Sequence, residues 1–242
     1  MRFFVGLDAP SHAQHFDAAF ISVNRIRNRK GAFQVKDWIM DSGAFTEIST
    51  HGRYRHSVVE YAEQVRRWKN NGNLLAAVAQ DYMCEPFILA KTGLTVLDHQ
   101  LLTIERYDAL VSYETGVYIL PVLQGYEPQD YVRHIRLYAD RLKPGMWVGV
   151  GSVCKRNSNI GAIEEVLLAI KQERPDLRLH GFGVKTTALS SGLVQHLLWS
   201  ADSMAWSFAA RREGRDQHDW REAKRWSDRI KDRPVQAVFQ YT

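Results

Sequence analysis

The segments WVGVG (147–151), IGAIEEVLLAIKQ (160–172) and LHGFGV (179–184) follow one another in the chain and decide its fold class. The first and third are short apolar runs that contain paired glycines, and the segment between them has apolar residues at helical spacing. Short apolar runs that alternate with amphipathic helices are typical of βα units and a parallel sheet. This stretch therefore predicts a strand–helix–strand unit.

The same alternation extends in both directions from this unit. Strands are predicted at 3–6, 20–23, 38–41, 75–80, 117–123, 147–150, 179–184 and 202–207. Helices are predicted at 56–69, 96–113, 129–141, 160–172 and 190–199, with a closing helix at 220–231. Eight strands in a chain of 242 residues favour an α/β fold of one domain over 1–242, a (β/α)8 TIM barrel, rather than an open doubly wound sheet.

Composition bounds the classes of function. Lys and Arg number 32 against 27 Asp and Glu, which gives a formal net charge of +5 and favours a polyanionic partner. Cys84 and Cys154 are too few for a disulfide framework or a cysteine-rich zinc site, so no metal or other cofactor is expected. No stretch has the form of a secretory signal or a membrane span, so we expect a soluble, cytoplasmic protein without membrane contact.

Acids, amides and glycines follow the predicted strands. In a barrel these strand ends meet at one face, where barrel enzymes hold their active sites. Two acids at separate strand ends supply what a glycosidic-bond enzyme needs, a nucleophile and a proton carrier. The residues expected there are Asp41, Asp81, Gln124, Gly125, Gly149, Gly151, Gly181, Gly183 and Asp202, followed by Lys185. The structural alternative is a turn or helix-capping role for each acid and a tight turn for each glycine.

Basic residues are clustered, and several clusters come directly after a predicted strand end. The clusters are Arg25, Arg27, Arg29 and Lys30; Lys155 and Arg156; and Arg211, Arg212 and Arg215. Ordinary solvated surface is the alternative for each cluster. Their position after the strand ends favours contact with the phosphates of a nucleic acid.

Six short motifs occur in a fixed order along most of the chain. They are Asp41-Ser-Gly-Ala-Phe45, Gln80-Asp81, Leu123-Gln124-Gly125, Val148-Gly-Val-Gly151, Gly181-Phe-Gly-Val184 and Asp202-Ser-Met-Ala-Trp206. The series resembles that of the tRNA-guanine transglycosylases. The short chain and the Asp-Ser-x-Ala-aromatic form of the last motif are most similar to the deazapurine-in-DNA transglycosylases, which resemble the tRNA enzymes but act on DNA.

The resemblance implies a base exchange in which guanine leaves its sugar and a 7-deazaguanine, such as 7-cyano-7-deazaguanine, replaces it as co-substrate. It implies that Asp202 is the nucleophile on C1′, through a covalent deoxyribosyl-aspartate intermediate, and that Asp41 is the general acid and base. Asp81 suits the N1–H and exocyclic amine of guanine, and Gln124 suits its O6. The further base-binding residues are Gly125, Gly149 through its backbone, Gly183, and Phe45 by stacking.

The same resemblance implies a nucleic-acid partner in the cytoplasm of a bacterial or phage-infected cell. Because a base inside a duplex is out of reach of a carboxylate at a barrel mouth, the target is expected to be flipped out or single-stranded. Phosphate contacts are expected first from Arg211, Arg212 and Arg215 and then from Lys155, Arg156 and Lys185. The tRNA enzymes carry a Cys/His zinc site after the nucleophile strand, whereas residues 207–242 contain no Cys and only His218, which favours DNA over tRNA.

Other interpretations stay open at this point. One is a tRNA-guanine transglycosylase, and another is a non-catalytic nucleic-acid-binding barrel subunit of a modification complex. A phospho-sugar barrel would use the Gly149-x-Gly151 and Gly181-x-Gly183 turns for phosphate but leaves three strand-end acids without a task. Hydrolytic removal of a base is a fourth, because water can intercept the same intermediate. The 7-deazaguanine derivative, the target sequence, a homo-oligomeric state and the need for accessory modification proteins also stay open.

Overall fold

A parallel sheet of nine strands forms the centre of the molecule. The computed structural model describes residues 1–153 and 159–231. The strands are β1 (Arg2–Leu7), β2 (Ala18–Ser22), β3 (Asp37–Asp41), β4 (Asn73–Val78), β5 (Ile119–Leu120), β6 (Val122–Leu123), β7 (Trp147–Val150), β8 (Arg178–Gly181) and β9 (Leu198–Ser203). Their order in the sheet is β5-β4-β3-β2-β1-β9-β8-β7-β6, and every neighbouring pair is parallel.

The sheet is nearly closed because its two edges are adjacent in the chain. β5 pairs with β4 and β6 pairs with β7, and only Pro121 separates β5 from β6. Proline has no backbone N–H to give to a ladder, so the predicted strand 117–123 is interrupted there. The Pro121 carbonyl still accepts a hydrogen bond of 2.8 Å from the Gly149 N–H. The predicted TIM-like barrel is therefore confirmed in shape, but with nine strands instead of eight.

The helices lie around this barrel. They are α1 (Val23–Ile26), α2 (Ala44–His51), α3 (Val58–Trp68), α4 (Pro86–Thr92), α5 (Val96–Ser112), α6 (Pro128–Tyr138), α7 (Ile160–Glu173), α8 (Gly192–Leu197), α9 (Ala205–Arg212) and α10 (Trp220–Lys231). Ser57 with Glu60 and Thr95 with Asp98 form capping boxes that fix the starts of α3 and α5. No helix in the described part of the chain is long and apolar enough to cross a membrane.

The last strand begins earlier than the sequence predicts. The prediction of strand 202–207 is wrong, because β9 ends at Ser203 and the residues from Ala205 onward form α9. The apolar run 197–199 continues the helical spacing, which is why a helix was predicted through 199. In the structure, β9 instead fits between two strands, with Leu198 beside Leu179 of β8 and Asp202 beside Phe4 of β1. Hydrogen bonds on both edges override the local pattern.

The core fills the barrel and the layer between the sheet and the helices. Side chains on both faces of the strands are buried, as expected for a parallel sheet covered by helices. Trp206, at the start of α9, is 1% exposed and its Nε1–H donates to the Gly6 carbonyl at 2.8 Å. This bond fixes the turn after β9 against β1. The carboxyl ends of β3, β4, β6, β8 and β9 lie at one mouth of the barrel because all the strands are parallel.

Candidate active site

A cavity of about 200 Å³ opens at the carboxyl ends of the strands. Four of the predicted site residues with polar side chains line it, and they come from four different segments of the chain. Its lining is Phe20, Asp41, Ala44, Phe45, Val78, Asp81, Met83, Glu85, Gln124, Gly151, Ser152, Phe182, Gly183 and Asp202. A second cavity of about 430 Å³ adjoins it and shares Phe20, Asp41, Phe45 and Asp202. The two predicted catalytic acids thus lie where the two cavities meet.

Asp202 lies near the end of β9 with only 6% of its surface exposed. Its Oδ1 accepts two hydrogen bonds of 3.2 Å, one from His180 Nε2 and one from the Gly183 N–H. Gly183 has a φ of +62°, a region that glycine enters at little cost, and this conformation aims its N–H at the carboxylate. Oδ2 has no hydrogen-bond partner among the described residues. Within the described residues, two donors therefore hold one oxygen of the carboxylate and none holds the other.

Asp41 ends β3 and is followed by Gly43, whose φ is +78°. The Gly43 N–H donates to Asp41 Oδ2 at 3.0 Å, and the Ser22 side chain acts with it to lower the pKa of this carboxyl group. Burial raises the pKa of Asp41 to about 6, and the charge of Asp202 adds to the increase, against the lowering by the Gly43 bond. A carboxyl group with such a pKa can carry a proton near neutral pH and release it again.

Asp81 and Gln124 form a pair at the floor of the cavity. Gln124 Nε2 donates to Asp81 Oδ2, and both side chains are buried. Burial first, and then the charge of Asp41, raise the pKa of Asp81 to about 7, although the hydrogen bond from Gln124 lowers it. The Gln124 backbone is fixed by its N–H bond to His134 Nδ1 at 2.8 Å and by a bond from Gln100 to its carbonyl at 2.7 Å. The pair presents an amide and a titratable carboxyl side by side.

Ser152 and Glu85 extend this polar floor, and the sequence analysis missed both. Ser152 Oγ lies 2.8 Å from Gln124 Oε1 and 3.0 Å from Glu85 Oε2, and it accepts the Cys84 N–H at 2.9 Å. These contacts fix the Gln124 amide with its oxygen toward the hydroxyl and its nitrogen toward Asp81. Glu85 comes four residues after Asp81, and this short separation was the signal in the sequence that could have identified it.

Two predicted base-binding glycines lie outside the cavity lining. A Cβ on Gly125 would meet Asp130 and Tyr131, so this glycine lets α6 approach β6. A Cβ on Gly149 would collide with the Phe182 ring, and the Gly149 N–H already bonds to Pro121 within the sheet. Gly149 therefore makes room for Phe182, which lines the cavity in its place. Phe182 belongs to the predicted Gly-x-Gly turn, but its ring was not predicted to contribute.

The predicted phosphate-binding residues differ in their surroundings. Arg211 and Arg212 are exposed at the end of α9, with their guanidinium groups 5.3 Å and 5.9 Å from the ring centre of Phe208. Lys185 lines a groove of about 700 Å³ together with Phe208 and Arg212. Arg215 forms ion pairs with Glu213 and Glu222. Lys155 and Arg156 lie outside the described residues.

Phe208 is a further residue that sequence reasoning missed. Its side chain is 52% exposed, the largest exposed fraction among the described large hydrophobic residues. The groove and the cavity are lined by neighbouring residues of the same two segments, since Lys185 comes two residues after Gly183 and Ala205 three residues after Asp202. An exposed ring with two cations beside it, next to a carboxylate pocket, is the kind of surface that single-stranded nucleic acids bind.

His180 contacts a predicted catalytic acid, which the sequence analysis did not foresee because it gave no histidine a role. It is fully buried and lies on β8, two residues before Phe182. In the described residues, no group of His, Cys, Asp and Glu side chains has the geometry to hold a metal ion. His180 instead bonds to Asp202, so its contacts point to the carboxylate chemistry of the cavity.

The barrel gathers carboxyl groups and an amide at the carboxyl ends of its strands, and neighbouring segments line a groove with basic and aromatic residues. The family model described as DpdA, DeoxyPurine in DNA protein A, matches residues 1–241, and the chain belongs to this family. The resemblance drawn from the motif series is thereby confirmed, and it supports a role in DNA modification that involves a deazapurine. A search of curated proteins found no match.

Proposed function

We propose that this protein is a transglycosylase that exchanges guanine in DNA for a 7-deazaguanine base, such as 7-cyano-7-deazaguanine. The observation that carries the proposal is the state of the two acids at the meeting point of the two cavities. Asp202 has one oxygen held by two donors and one without a partner in the described part of the chain, while Asp41 has a pKa of about 6. A fixed nucleophile beside a titratable carboxyl is what a retaining exchange at C1′ requires.

The exchange has two halves. In the first, Oδ2 of Asp202 bonds to C1′ as the C1′–N9 bond breaks, and the electron pair leaves with the guanine, which takes the proton carried by Asp41. In the second, Asp41 takes a proton from the incoming 7-deazaguanine, whose nitrogen bonds to C1′ while the C1′–Oδ2 bond breaks. Both carboxyl groups return to their starting state, so no oxidant, metal or nucleotide is consumed.

Base recognition falls to the polar floor of the cavity. The ionised Asp81 can accept from the N1–H and exocyclic amine that guanine and its 7-deaza analogues share, and the Gln124 amide can donate to O6. These two side chains form a hydrogen bond with each other in the structure. The polar edge of an entering base would compete for the same donor and acceptor. Phe45 and Phe182, which line the same cavity, are the candidates for stacking on the base.

DNA would reach the cavity along the groove that contains Phe208, Arg212 and Lys185. Arginine and lysine contacts to phosphates give affinity and position without reading sequence. An exposed aromatic ring stacks on unpaired bases regardless of their identity. This surface supports a substrate whose target nucleotide is flipped out or single-stranded.

The hydrogen bonds of the first glycine turn disagree with the phospho-sugar alternative. It needs free backbone N–H groups to hold a phosphate, but the Gly149 N–H bonds to the Pro121 carbonyl at 2.8 Å and the Gly151 N–H bonds to the Leu123 carbonyl at 2.9 Å. These donors are used by the sheet. The tRNA alternative shares the same chemistry and differs only in the nucleic acid, so an experiment decides it.

The experiment incubates the protein with guanine-containing DNA and 7-cyano-7-deazaguanine, digests the DNA and measures the deazapurine deoxynucleoside by mass spectrometry. Asp202→Asn, which keeps the shape and the Oδ1 acceptor, should give no product. Asp176→Asn changes a carboxylate before the amino end of β8 and should leave the yield unchanged. Parallel reactions with unmodified tRNA decide the nucleic acid. Product with Asp202→Asn equal to that of the unchanged protein would overturn the proposal.

A further inference from the structure

A chain of three hydrogen bonds runs through the barrel interior and ends on Asp202. Trp147 Nε1–H donates to Ser200 Oγ at 2.8 Å, Ser200 Oγ lies 2.9 Å from His180 Nδ1, and His180 Nε2 lies 3.2 Å from Asp202 Oδ1. The four residues come from β7, β8 and β9, which are neighbours in the sheet. None of these contacts takes part in the base exchange as derived above except through Asp202.

The residues at the two ends of the chain, Trp147 and Asp202, set the direction in which each hydrogen bond donates. The indole N–H can only donate, so Ser200 Oγ accepts from Trp147 and has its own hydrogen left to give. At the other end of the chain, the Asp202 carboxylate accepts, so the hydrogen of a neutral His180 ring lies on Nε2 and Nδ1 accepts the Ser200 hydrogen. The Nε2–H then donates to Asp202 Oδ1. Every member of the chain has one defined role.

Aromatic rings enclose the histidine and keep its ring in one orientation. Phe20 stacks on it with centroids 5.7 Å apart, and Phe4, Trp147 and Phe182 meet it edge-on at 6.0, 5.8 and 4.9 Å. His180 and Ser200 are fully buried. A polar chain in such surroundings is costly unless every member is satisfied, and a broken link cannot be repaired by bulk water.

We infer that His180 is a positioning residue for the nucleophile. With Ser200 behind it and the Gly183 N–H beside it, His180 holds Oδ1 of Asp202 and so turns Oδ2 toward the place where C1′ of the nucleotide would lie. This inference rests on the proposed role of Asp202. It adds residues of the barrel interior to the machinery, and it assigns them to orientation of the attacking oxygen and not to proton transfer.

The kinetic test compares His180→Phe with His180→Gln. Phenylalanine fills the space but has no donor, whereas glutamine brings an N–H close to the position of Nε2. We expect His180→Phe to lower kcat about 10- to 100-fold with KM for DNA and base changed less than about 2-fold, and His180→Gln to restore most of kcat. Ser200→Ala, which frees the ring from its tether, should fall between them. Equal kcat in folded His180→Phe and unchanged protein would overturn the inference.

A structural readout separates this inference from the proposed function. Crystal structures of His180→Phe and His180→Gln would show whether the Asp202 carboxylate turns away from its present orientation in the first and keeps it in the second. A turned carboxylate in His180→Phe supports positioning, even if the unchanged protein makes no deazapurine product, in which case only the proposed reaction fails. An unturned carboxylate in His180→Phe would overturn the inference whatever the activity. If His180→Phe does not fold, Ser200→Ala is judged by the same two readouts.

Discussion

The carboxyl groups of Asp41 and Asp202 line the same cavity, although β1 and β2 separate their strands in the sheet. The charge of Asp202 helps burial to raise the pKa of Asp41 to about 6. The pKa of Asp41 is thereby brought close enough to neutral pH for this carboxyl group to give up a proton and take one back, which a proton carrier must do.

The protonation of Asp41 should respond to Asp202. Because the Asp202 charge raises the pKa of Asp41, Asp202→Asn is expected to lower that pKa below its present value of about 6. Carbon NMR titration of labelled aspartate carboxyl groups measures it, with Asp41→Asn to assign the signal. An Asp41 pKa that stays unchanged in Asp202→Asn would contradict the coupling of the two acids.

The formation of the covalent adduct should slow as the pH rises. Asp41 has to be protonated when guanine leaves, and its protonated fraction falls above pH 6. We expect the single-turnover rate of adduct formation to fall about tenfold for each unit of pH well above that value. Quenched-flow measurement between pH 5 and about pH 9 tests this. A rate that stays constant over that range would show that Asp41 is not the acid.

Ionisation of Asp81 should lower the free energy of unfolding at neutral and alkaline pH. Its pKa is raised to about 7 in the folded protein, so the folded state binds more protons than the unfolded state between the ordinary value of 3.8 and about 7. Stability therefore falls as the pH rises through this window. Asp81→Asn should raise Tm by about 3 °C or more at pH 8 and change it little at pH 4, while base exchange is lost. Calorimetry at both pH values checks the sign, and a lower Tm at pH 8 would contradict it.

DNA affinity should depend on Phe208 and its two arginines. Phe208→Ala should weaken binding of single-stranded DNA about 10-fold, because a stacked base is worth about 1–3 kcal/mol. Arg211→Ala and Arg212→Ala should each reduce the salt dependence of binding, whereas Arg215→Ala should change it less because Arg215 pairs with Glu213 and Glu222. Fluorescence anisotropy at several salt concentrations measures both effects, with Val111→Ala on the exposed side of α5 as control. Equal salt slopes for all three arginine variants would contradict this division.

Substitution of two glycines with positive φ should show which loss of activity is due to the site and not to lower stability. Gly43→Ala strains a backbone at φ +78° and sets a Cβ 2.5 Å from the Asn24 amide, so the N–H that bonds to Asp41 must move. Gly72→Ala is strained at φ +63° against the Val35 carbonyl, before the amino end of β4. Both should lose about 1–3 kcal/mol of stability, and only Gly43→Ala should also lower kcat more than about 10-fold. Urea unfolding with single-turnover assays compares them, and equal kcat in both variants would refute the assignment.

The acids that line the cavity could be predicted from the sequence because their position follows from a simple rule of barrel geometry. In a parallel barrel the strand ends share one face, so Asp41, Asp81, Gln124 and Asp202 could be placed together without coordinates. His180 could not be found in this way, since its role depends on β8 and β9 being paired in a register that brings its ring to Asp202. The Gly149 backbone was predicted to bind the base because the sequence does not show that Pro121 accepts its hydrogen.

The strand order also divides the barrel into two consecutive pieces of chain. β1 to β5 lie on one side and β6 to β9 on the other, and they meet at the β1–β9 pair and at Pro121. Asp41 and Asp81 belong to the first piece, and Gln124 and Asp202 to the second. Neither piece alone contains both the proposed nucleophile, Asp202, and the proposed proton carrier, Asp41. With the proposed roles, a nascent chain on the ribosome cannot carry out base exchange until β9 pairs with β1, so pairing of the final strand completes the proposed site.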